Sequence, residues 1–460
     1  MRERRTIEGK WWIHGDDKAA HFGTLVFDPE TGLELTVKIP QSRSDAERFR
    51  TMHDPASVPT AIHGKDQHGH DVTAFEPFHF MHDVGSGLET YQIGGISAAI
   101  QNMRGESLDE PRFAVASVGF TLLAEWMNRK SVLSKTVEDG VACLKLQCHD
   151  RLEFQLETGV TLRIERAWLP QFGARELNVQ FEYRIWLVFC DPRSAMAIYK
   201  GYACVLLRLL SLLTGERVFI EELSFYDCDP FVPGQGRPPK QSEFLTTNRG
   251  VAEAKRSVPA ALMITRFEEV EGAFLNVLRR WFECHARLEP VLDLYFAILA
   301  NRASSMESRF LFLAQALEVY HARSAQFTAT EILAEDHQKR ITAVLNTVPP
   351  DYLRWVREKL AYSNQKTLAR RLDDILKLHP AEAAKLAAGV HEFAAKVRHT
   401  RNYYTHYDEE LRRKGKIAEG AELRRVVFAL EDLLQICLLK ELGIQGPPIE
   451  RILQRSASSE

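Results

Sequence analysis

The sequence is poor in cysteine. Its seven cysteines are scattered over 460 residues, and none forms a C-x-x-C pair. An odd, dispersed set of thiols argues against a disulfide framework or a zinc ribbon and favours a reducing compartment. We therefore expect a cytoplasmic protein without structural metal.

Long apolar runs and a strong charge imbalance are also lacking. The most apolar region, residues 195–213, is interrupted by Lys200 and Arg208, so we expect a buried helix rather than a membrane span. The charged start at residues 1–5 leads into no apolar segment, which argues against a signal peptide. The net charge of −3 does not by itself indicate a polyanion partner.

Several well-known catalytic motifs are missing. The sequence contains no G-x-x-x-x-G-K-[ST] loop, no G-x-G-x-x-G after a strand, no H-E-x-x-H and no G-x-S-x-G. Their absence removes most nucleotide-driven, metalloprotease and α/β-hydrolase functions from consideration.

The first part of the chain has the pattern of an antiparallel β domain. Residues 24–27 and 33–37 flank a Pro- and Gly-containing turn, and apolar residues alternate along 152–156 and 160–164 around Gly159. Asp191 and Pro192 are expected to open a helix that Gly215 ends near Thr214. We expect residues 1–286 to form a β-rich domain with this helix inserted.

From about residue 267 the apolar period changes to 3.6, which predicts a helical bundle. The fold class is therefore α+β, with a helical domain over residues 287–445 and a flexible tail over 446–460. The expected helices cover residues 289–300, with Pro290 in the first turn, and then 304–323, 329–345, 351–361, 368–378, 381–399 and 421–442.

A possible catalytic group follows the helix expected at 381–399. Arg401, Asn402 and His406 lie within six residues. Arg can bind a phosphate through two N–H groups, and His can transfer a proton near neutral pH. On spacing alone, a solvated helix end explains the same residues. Five residues on a regular helix turn through about 140°, so Arg401 and His406 do not share a face of such a helix.

Three further groups are candidates for chemistry. His63, His68 and His70, with Asp66 and Asp71 nearby, have either a metal-binding or a polar-loop pattern, whereas His79 and His82 are expected to pack among phenylalanines. Glu318 lies in an apolar helix, either on its solvated stripe or inside the bundle with Arg401 as partner. Arg412 and Arg413 begin a basic cluster that either contacts a phosphate backbone or is solvated.

The Arg401-Asn402 pair followed by His406, in a helical domain, resembles the HEPN ribonuclease superfamily. The helix around Phe310–Glu318 looks like the first long helix of ApeA-type HEPN domains, which bear a similar Glu. Further stretches resemble the ApeA-type N-terminal domain: Trp11-Trp12, Gly23 to Phe27, Ile62-His63-Gly64, and Phe113 with Leu122 to Trp126.

The resemblance implies a metal-independent endoribonuclease of antiphage defence that acts by abortive infection. It implies catalytic roles for Arg401, Asn402, His406 and Glu318, no cofactor, and RNA, with tRNA among the candidates, as substrate. Tyr403, Tyr404, Arg412 and Arg413 are then expected to bind RNA, with core packing an equal alternative for one of the two tyrosines. HEPN motifs meet across a two-fold interface, so we expect a homodimer or a higher even oligomer.

Two other functions fit the sequence. One is a non-catalytic HEPN-like binding or regulatory protein with a ligand-sensing β domain. The other is a carbohydrate- or peptide-binding β domain with a helical oligomerisation module. In the ribonuclease, the β domain would sense an infection signal or restrain the catalytic domain until that signal arrives. The sequence does not identify this phage-derived trigger.

Overall fold

A computed structural model describes residues 4–41, 47–52, 54, 57–85, 87–129, 132–138, 141–147, 151–172, 177–230, 239–247 and 257–458. The chain divides into two compact units, Met1–Leu275 and Asn276–Glu460. The first is dominated by antiparallel strands and the second by helices, which confirms the predicted α+β class.

Sixteen strands form the described β structure of the first unit. They are β1 (Arg5–Ile13), β2 (His21–Asp28), β3 (Gly32–Pro40), β4 (Ala61–Asp66), β5 (Asp71–Phe75), β6 (His79–Gly85), β7 (Leu88–Ile96), β8 (Ala98–Gln101), β9 (Arg112–Phe120), β10 (Val132–Glu138), β11 (Val141–Gln147), β12 (Leu152–Glu157), β13 (Val160–Phe172), β14 (Leu177–Ser194), β15 (Ile220–Tyr226) and β16 (Gln241–Leu245). Fourteen belong to one sheet, in the order β12-β13-β14-β9-β15-β16-β8-β5-β4-β1-β2-β3-β7-β6, while β10 and β11 pair separately.

The predicted hairpin of β2 and β3 is confirmed. The two strands pair antiparallel from Gly23 opposite Val37 to Asp28 opposite Gly32. Gly32 has a φ of 107°, a conformation that side chains with a Cβ rarely adopt. Alternate residues of β3 are fully or almost fully buried, and they join Trp11, Leu25 and Phe27 in the core of this half of the sheet.

The inserted helix begins later than the sequence predicts. Strand β14 continues to Ser194, and the helix starts with α3 (Ala195–Ile198), passes through a π-helical turn (Tyr199–Ala203) and continues as α4 (Cys204–Thr214). The Ser194 hydroxyl accepts a hydrogen bond from the Ala197 amide, so Ser194 is the cap instead of Asp191. Gly215 ends the helix in the left-handed conformation, as expected.

This composite helix is the one helix among the described residues whose length and apolar composition would allow it to cross a bilayer. Half of its most apolar window is buried inside the protein, as is common for the core helix of a soluble protein. Three more short helices complete the described first unit: α1 (Glu47–Arg50), α2 (Leu123–Met127) and α5 (Phe267–Val270).

The remaining α-helices form the second unit, except that the longest helix begins two residues earlier, in the first unit. They are α6 (Phe274–Ala300), α7 (Met306–Arg323), α8 (Ala334–Leu345), α9 (Leu353–Leu360), α10 (Leu368–Leu378), α11 (Pro380–Leu386), α12 (Phe393–His406), α13 (Glu409–Arg413), α14 (Gly420–Glu441) and α15 (Pro447–Ser458). Among these, α14 packs against α7, and α12 packs against both α7 and α10.

Helix α6 begins well before the predicted residue 289. It contains Pro290 in its interior rather than in its first turn. Proline lacks the N–H that would reach the carbonyl of Ala286, which disfavours a continuous helix. The neighbours Leu288, Val291 and Leu292 are completely buried, so packing outweighs the lost hydrogen bond. The division between the units, at residues 275 and 276, falls inside this helix.

The helix predicted over residues 381–399 is two helices. Helix α11 ends at Leu386, and Gly389 and Glu392 then take left-handed conformations with φ of 79° and 48°. The chain resumes as α12 at Phe393, and α12 continues through the whole Arg401–His406 stretch. The candidate catalytic residues therefore lie within a helix rather than after one.

The segment expected to be a flexible tail is largely helical. Helix α15 covers Pro447–Ser458, and Ile449, Ile452 and Leu453 are buried at helical spacing. These three residues give the helix an apolar face that the sequence analysis did not consider. The loop predicted across residues 230–239 lies mostly outside the described residues, which omit 231–238, and the final residues 459 and 460 are also omitted.

Candidate active site

Helix α12 is anchored by one buried stripe. Val397, Thr400 and Tyr403 recur every three residues and are buried. The Thr400 hydroxyl also donates to the Lys396 carbonyl at 2.8 Å and accepts from the Ala418 amide at 2.8 Å. This stripe fixes the rotation of α12, and hence the directions in which Arg401, Asn402 and His406 leave the helix.

The structure brings Glu318 and Arg401 together, as the sequence analysis anticipated for this pair. An Arg401 terminal nitrogen lies 3.8 Å from a Glu318 carboxylate oxygen. The Arg401 side chain is 41% exposed and that of Glu318 is 30% exposed, so both border solvent. Within the described ranges, the Arg401 side chain makes this one long ionic contact, which leaves the rest of its guanidinium fork available for an anion.

Glu318 is held in place through its backbone. The Arg371 guanidinium of α10 donates to the Glu318 carbonyl at 3.1 Å. The same guanidinium donates to the Lys366 carbonyl at 2.9 Å. Arg371 thereby joins the last turns of α7 to the beginning of α10, and the Glu318 carboxylate faces Arg401 from a braced helix.

His406 is the last residue of α12 and is exposed. Tyr407 follows with a φ of 52° and a ψ of 44°, and its amide bonds back to the Tyr403 carbonyl. A left-handed residue at this position ends the helix, a conformation that usually requires glycine. No hydrogen-bond partner of the His406 ring occurs among the described residues, so both ring nitrogens are open to a ligand.

Arg401 and His406 lie on one uninterrupted helix and point in different directions. Five residues at 100° per residue separate them by about 140° around the α12 axis. The bend at a helix end that would bring them together occurs only after His406. A single copy of α12 therefore does not direct both side chains at one phosphate. Asn402 is half-buried beside Arg401, with no side-chain hydrogen bond to the described residues.

The two tyrosines predicted to contact RNA are largely used for packing. Tyr403 is 6% exposed and lies in the buried stripe, so it follows the core-packing alternative and is not available to stack on a base. Tyr404 is half-buried, with its ring centroid 6.1 Å from that of Phe310. The exposed aromatic residue here is Tyr407, at 68%, which the sequence analysis missed. Tyr407 directly follows the Arg401–His406 stretch in the sequence, and this position could have identified it as a candidate.

The basic cluster after the motif is partly neutralised. Arg412 lies 3.0 Å from Glu419, whose negative charge raises the pKa of the Arg412 guanidinium. Lys414 lies 2.6 Å from Glu410. Arg413 is exposed and has no ion-pair partner in the described part of the chain. RNA binding by Arg412 and Arg413 stays a prediction, with Arg413 the better placed of the two.

The histidine-rich segment of the β unit has no metal-binding arrangement. Among the described residues no three His, Cys, Asp or Glu side chains converge on a point where a metal could sit. His63 instead contacts His14 and the Thr73 hydroxyl, at 3.0 and 3.1 Å, and burial lowers the pKa of its ring. His70 bonds Asp66 at 3.1 Å, and His68 is exposed on the turn.

His82, in the second pair of histidines, lines a cavity. It stacks on Tyr91 at 4.6 Å rather than among phenylalanines, and both His82 and His79 are exposed. Arg50 bonds the buried Glu89 at 2.8 Å, and this bond lowers the pKa of Glu89 to about 2. The cavity has a volume of about 300 Å³ and is lined by Phe49, Arg50, Met52, Phe80, Met81, His82, Tyr91, Gln92 and Ile93.

A buried polar cluster in the helical unit was also missed. His321 of α7 is completely buried, and its Nε2 lies 3.0 Å from Asp374 of α10. Asp374 also lies 2.7 Å from Lys366. Burial lowers the pKa of His321, so the ring is neutral at pH 7 beside an ionised Asp374. His321 lies one helical turn after Glu318 in the sequence, and this spacing could have identified it as a candidate.

Two family models cover most of the chain. Residues 311–446 match the model described as Apea-like HEPN, which includes Glu318, Arg401, Asn402 and His406. The helical unit therefore carries a HEPN domain, of a class whose members are generally nucleases.

Residues 6–281 match the model described as ApeA N-terminal domain 1. The chain belongs to the ApeA family, which associates it with antiphage defence. Comparison with curated proteins and with solved structures gives no match.

Proposed function

We propose that the protein is a metal-independent endoribonuclease of antiphage defence that cleaves RNA with Arg401 and His406. The observation that supports this most directly is the half-exposed Arg401 beside Glu318, on the same helix as an exposed His406. Both side chains reach solvent from a helix whose rotation is fixed by buried neighbours. A cation and a proton-transfer group held in this way suit phosphodiester cleavage.

The proposed reaction uses the nucleophile that RNA itself carries. His406 takes the proton from a 2′-hydroxyl, whose oxygen forms a bond to the adjacent phosphorus. The bond from phosphorus to the 5′-oxygen breaks, and the leaving oxygen takes up a proton. The products are a 2′,3′-cyclic phosphate and a 5′-hydroxyl. Arg401 stabilises the negative charge on the non-bridging oxygens as the bond forms.

A second copy of the chain would complete this site. The angle of about 140° between Arg401 and His406 keeps the two groups of one copy apart. A two-fold axis beside α12 would place the Arg401 of one copy near the His406 of the other. One His406 then serves as the base and the other as the acid, which a single histidine cannot do at the same moment.

Glu318 acts as a positioning residue in this mechanism. Its carboxylate lies 3.8 Å from Arg401, and its backbone carbonyl accepts a hydrogen bond from Arg371. Asn402 follows Arg401 and shares a face of α12 with His406, one turn later, where its amide can orient a phosphate oxygen. We assign no chemical step to either residue.

Cleavage of RNA in EDTA, with analysis of the product ends, tests the proposal. Wild type should leave 2′,3′-cyclic phosphate and 5′-hydroxyl ends, whereas Arg401→Ala and His406→Ala should each lose at least about 100-fold in rate. His391→Ala changes an exposed histidine of the same unit and is the matched control. Equal cleavage by all variants would place the activity elsewhere.

The same experiment separates a ribonuclease from a non-catalytic HEPN-like protein. If wild type cleaves nothing in vitro, toxicity during phage infection is compared between wild type and His406→Ala. Toxicity that needs His406 would indicate a latent enzyme awaiting its trigger. Toxicity independent of Arg401 and His406 would indicate a binding or regulatory protein and would contradict the proposal.

We also propose that the β unit carries the sensing or restraining function. It matches a family model of its own and contains the cavity beside Arg50, Glu89 and Tyr91. Met81→Arg would place a charge in this cavity from the exposed edge strand β6. The variant should fold normally and change toxicity during infection, while unchanged toxicity would remove the cavity from the regulatory mechanism.

A further inference from the structure

The segment between α7 and α10 is an unusually exposed helical hairpin. We call residues 333–362 the arm; it comprises α8, a 3₁₀ turn (Pro350–Tyr352) and α9. The structure describes every residue of α8 and α9, and none of them is buried. The two helices pack on each other through half-buried apolar residues, namely Ile341, Leu345, Val348, Leu353, Val356 and Leu360.

The outer face of the arm carries exposed aromatic residues. Tyr352, Trp355 and Tyr362 are 59%, 60% and 73% exposed. Tyr352, Trp355 and Lys359 recur at helical spacings of three and four, so they share one face of α9. Exposed aromatic side chains of this size are uncommon on a surface that contacts only water.

Exposed cations also lie on the arm, Lys359 on the same face as Trp355 and Arg357 about 160° away on the other side of α9. Arg340, Arg357 and Lys359 are exposed and have no ion-pair partner among the described residues. Lys339 and Arg354 are paired within their helices, with Asp336 and Glu358. The other acidic residues of the arm lie in the first turns of its helices, where they complement the helix dipole.

Hydrogen bonds order the base of the arm. Asn364 is 9% exposed, and its side chain bonds both the amide and the carbonyl of Ile332 at 3.0 Å. Thr330 and Gln365 pair as an antiparallel bridge. These bonds hold the two strands of chain that enter and leave the arm side by side, so its orientation is fixed relative to α7 and α10.

The base of the arm also connects directly to the candidate active site. Arg371 donates to the Lys366 carbonyl at the base and to the Glu318 carbonyl of α7. The Glu318 carboxylate is in turn 3.8 Å from Arg401. Arg371 and Glu318 are thus the links between the base of the arm and Arg401.

We propose that the arm is a docking surface for single-stranded segments of the RNA substrate. Trp355 and Tyr352 stack on bases, while Arg357 and Lys359 bind backbone phosphates. This combination of free cations with exposed rings is the chemistry by which proteins bind single strands without strong sequence preference. The inference deepens the ribonuclease proposal and rests on RNA being the substrate.

Binding is measured with a fluorescein-labelled 2′-O-methyl poly(U) oligonucleotide, which lacks the attacking hydroxyl and stays intact. Full-length Trp355→Ala should bind roughly 5- to 100-fold more weakly, which corresponds to the loss of one base stack. Trp355→Phe should recover most of the affinity, because phenylalanine also stacks. Arg357→Gln with Lys359→Gln should lower the dependence of affinity on salt.

Leu378→Ala is the matched control, since Leu378 is 42% exposed on the same unit but lies outside the arm. In cleavage assays the arm variants should raise KM and leave kcat unchanged, because they affect docking and not chemistry. Circular dichroism verifies that each variant is folded.

The outcomes separate this inference from the ribonuclease proposal. Arm variants that bind and cleave like wild type would overturn the docking role and leave the ribonuclease intact. Trp355-dependent binding without any cleavage would support the arm, and the toxicity of His406→Ala during infection would then decide whether the protein is an enzyme. A change in oligomeric mass on light scattering for Trp355→Ala would assign the arm to contacts between copies, and failure of wild type to bind the oligonucleotide would also overturn the inference.

Discussion

The distance between Glu318 and Arg401 is long for an ion pair, and this is consistent with a candidate active site. At 3.8 Å, with both side chains bordering solvent, the pair contributes little to the free energy of unfolding. A tight bidentate pair would occupy the guanidinium that a phosphate needs. The geometry instead limits the directions in which Arg401 can point while leaving its N–H groups accessible.

At the residue scale we predict that Glu318→Gln lowers kcat/KM for RNA by about 5- to 10-fold, which corresponds to roughly 1 kcal/mol. The amide keeps the size of the side chain but loses the charge that orients Arg401. The fold should persist, because Glu318 is not buried. Single-turnover kinetics of the variant, with Glu450→Gln as an exposed control, would measure the effect.

A Glu318→Gln enzyme with unchanged kinetics would show that Arg401 is oriented without this carboxylate. A loss as large as that of Arg401→Ala would indicate that Glu318 takes part in the chemistry itself.

The sequence offered Arg401, His406 and Glu318 as candidates because their residue types suit the chemistry, and their roles stay predictions. It was not sufficient to separate Tyr403 from Tyr407. Tyr403 is buried because α12 continues past residue 399, which extends the stripe of Val397 and Thr400 by one more turn. Which of these tyrosines is exposed depends on where α12 ends.

At the scale of the element, the ends of α12 are set by backbone conformations that the sequence does not reveal. Glu392 and Tyr407 have positive φ angles, although neither is glycine. The alanine-rich run before Gly389 favours helix throughout, so propensity alone merges α11 with α12. By contrast, α10 occupies residues 368–378 as predicted, since Thr367 caps it and its apolar period is clear.

The junction between α7 and α10 should make the helical unit sensitive to mild acid. Burial lowers the pKa of His321 below its usual 6.5, so the unfolded chain binds a proton there more readily than the folded one. The contribution of His321 to stability is therefore complete above about pH 6.5 and is lost as the pH falls below that value.

We expect the thermal midpoint to fall between pH 7.5 and 5.5, and to fall less in His321→Gln. Glutamine can keep a hydrogen bond to Asp374 but does not titrate. The variant should start about 1 kcal/mol less stable at pH 7.5. Circular dichroism of the helical signal follows unfolding, with His391→Gln as the exposed control. An equal pH dependence in wild type and His321→Gln would contradict this assignment.

At the scale of the whole molecule, the order of the large sheet was beyond sequence analysis. The pattern located many strands and the β2–β3 hairpin, since both are local. It did not indicate that β9 lies between β14 and β15, or that β16 pairs with β8, because residues distant in sequence form these pairs. The alternation of apolar residues along a strand does not specify which distant strand pairs with it.

The separation of Arg401 from His406 around α12 makes an oligomer part of the proposed mechanism. We predict a mass of twice the 52.5 kDa chain, or a higher even multiple, by light scattering of the active protein. Dilution below the dissociation constant should reduce the specific activity. A monomer that cleaves RNA at an unchanged specific rate would contradict the composite site.

The course of α6 determines how this protein can be divided into fragments. A truncation at the sequence-predicted boundary of residue 286 would remove Val277, Leu278 and Trp281, three almost completely buried residues assigned to the helical unit. Such a fragment would expose several hundred Å² of apolar surface. Its lack of toxicity would then be a result of misfolding, and would be mistaken for evidence of regulation by the deleted part. A fragment that starts before Phe274 keeps the helix whole.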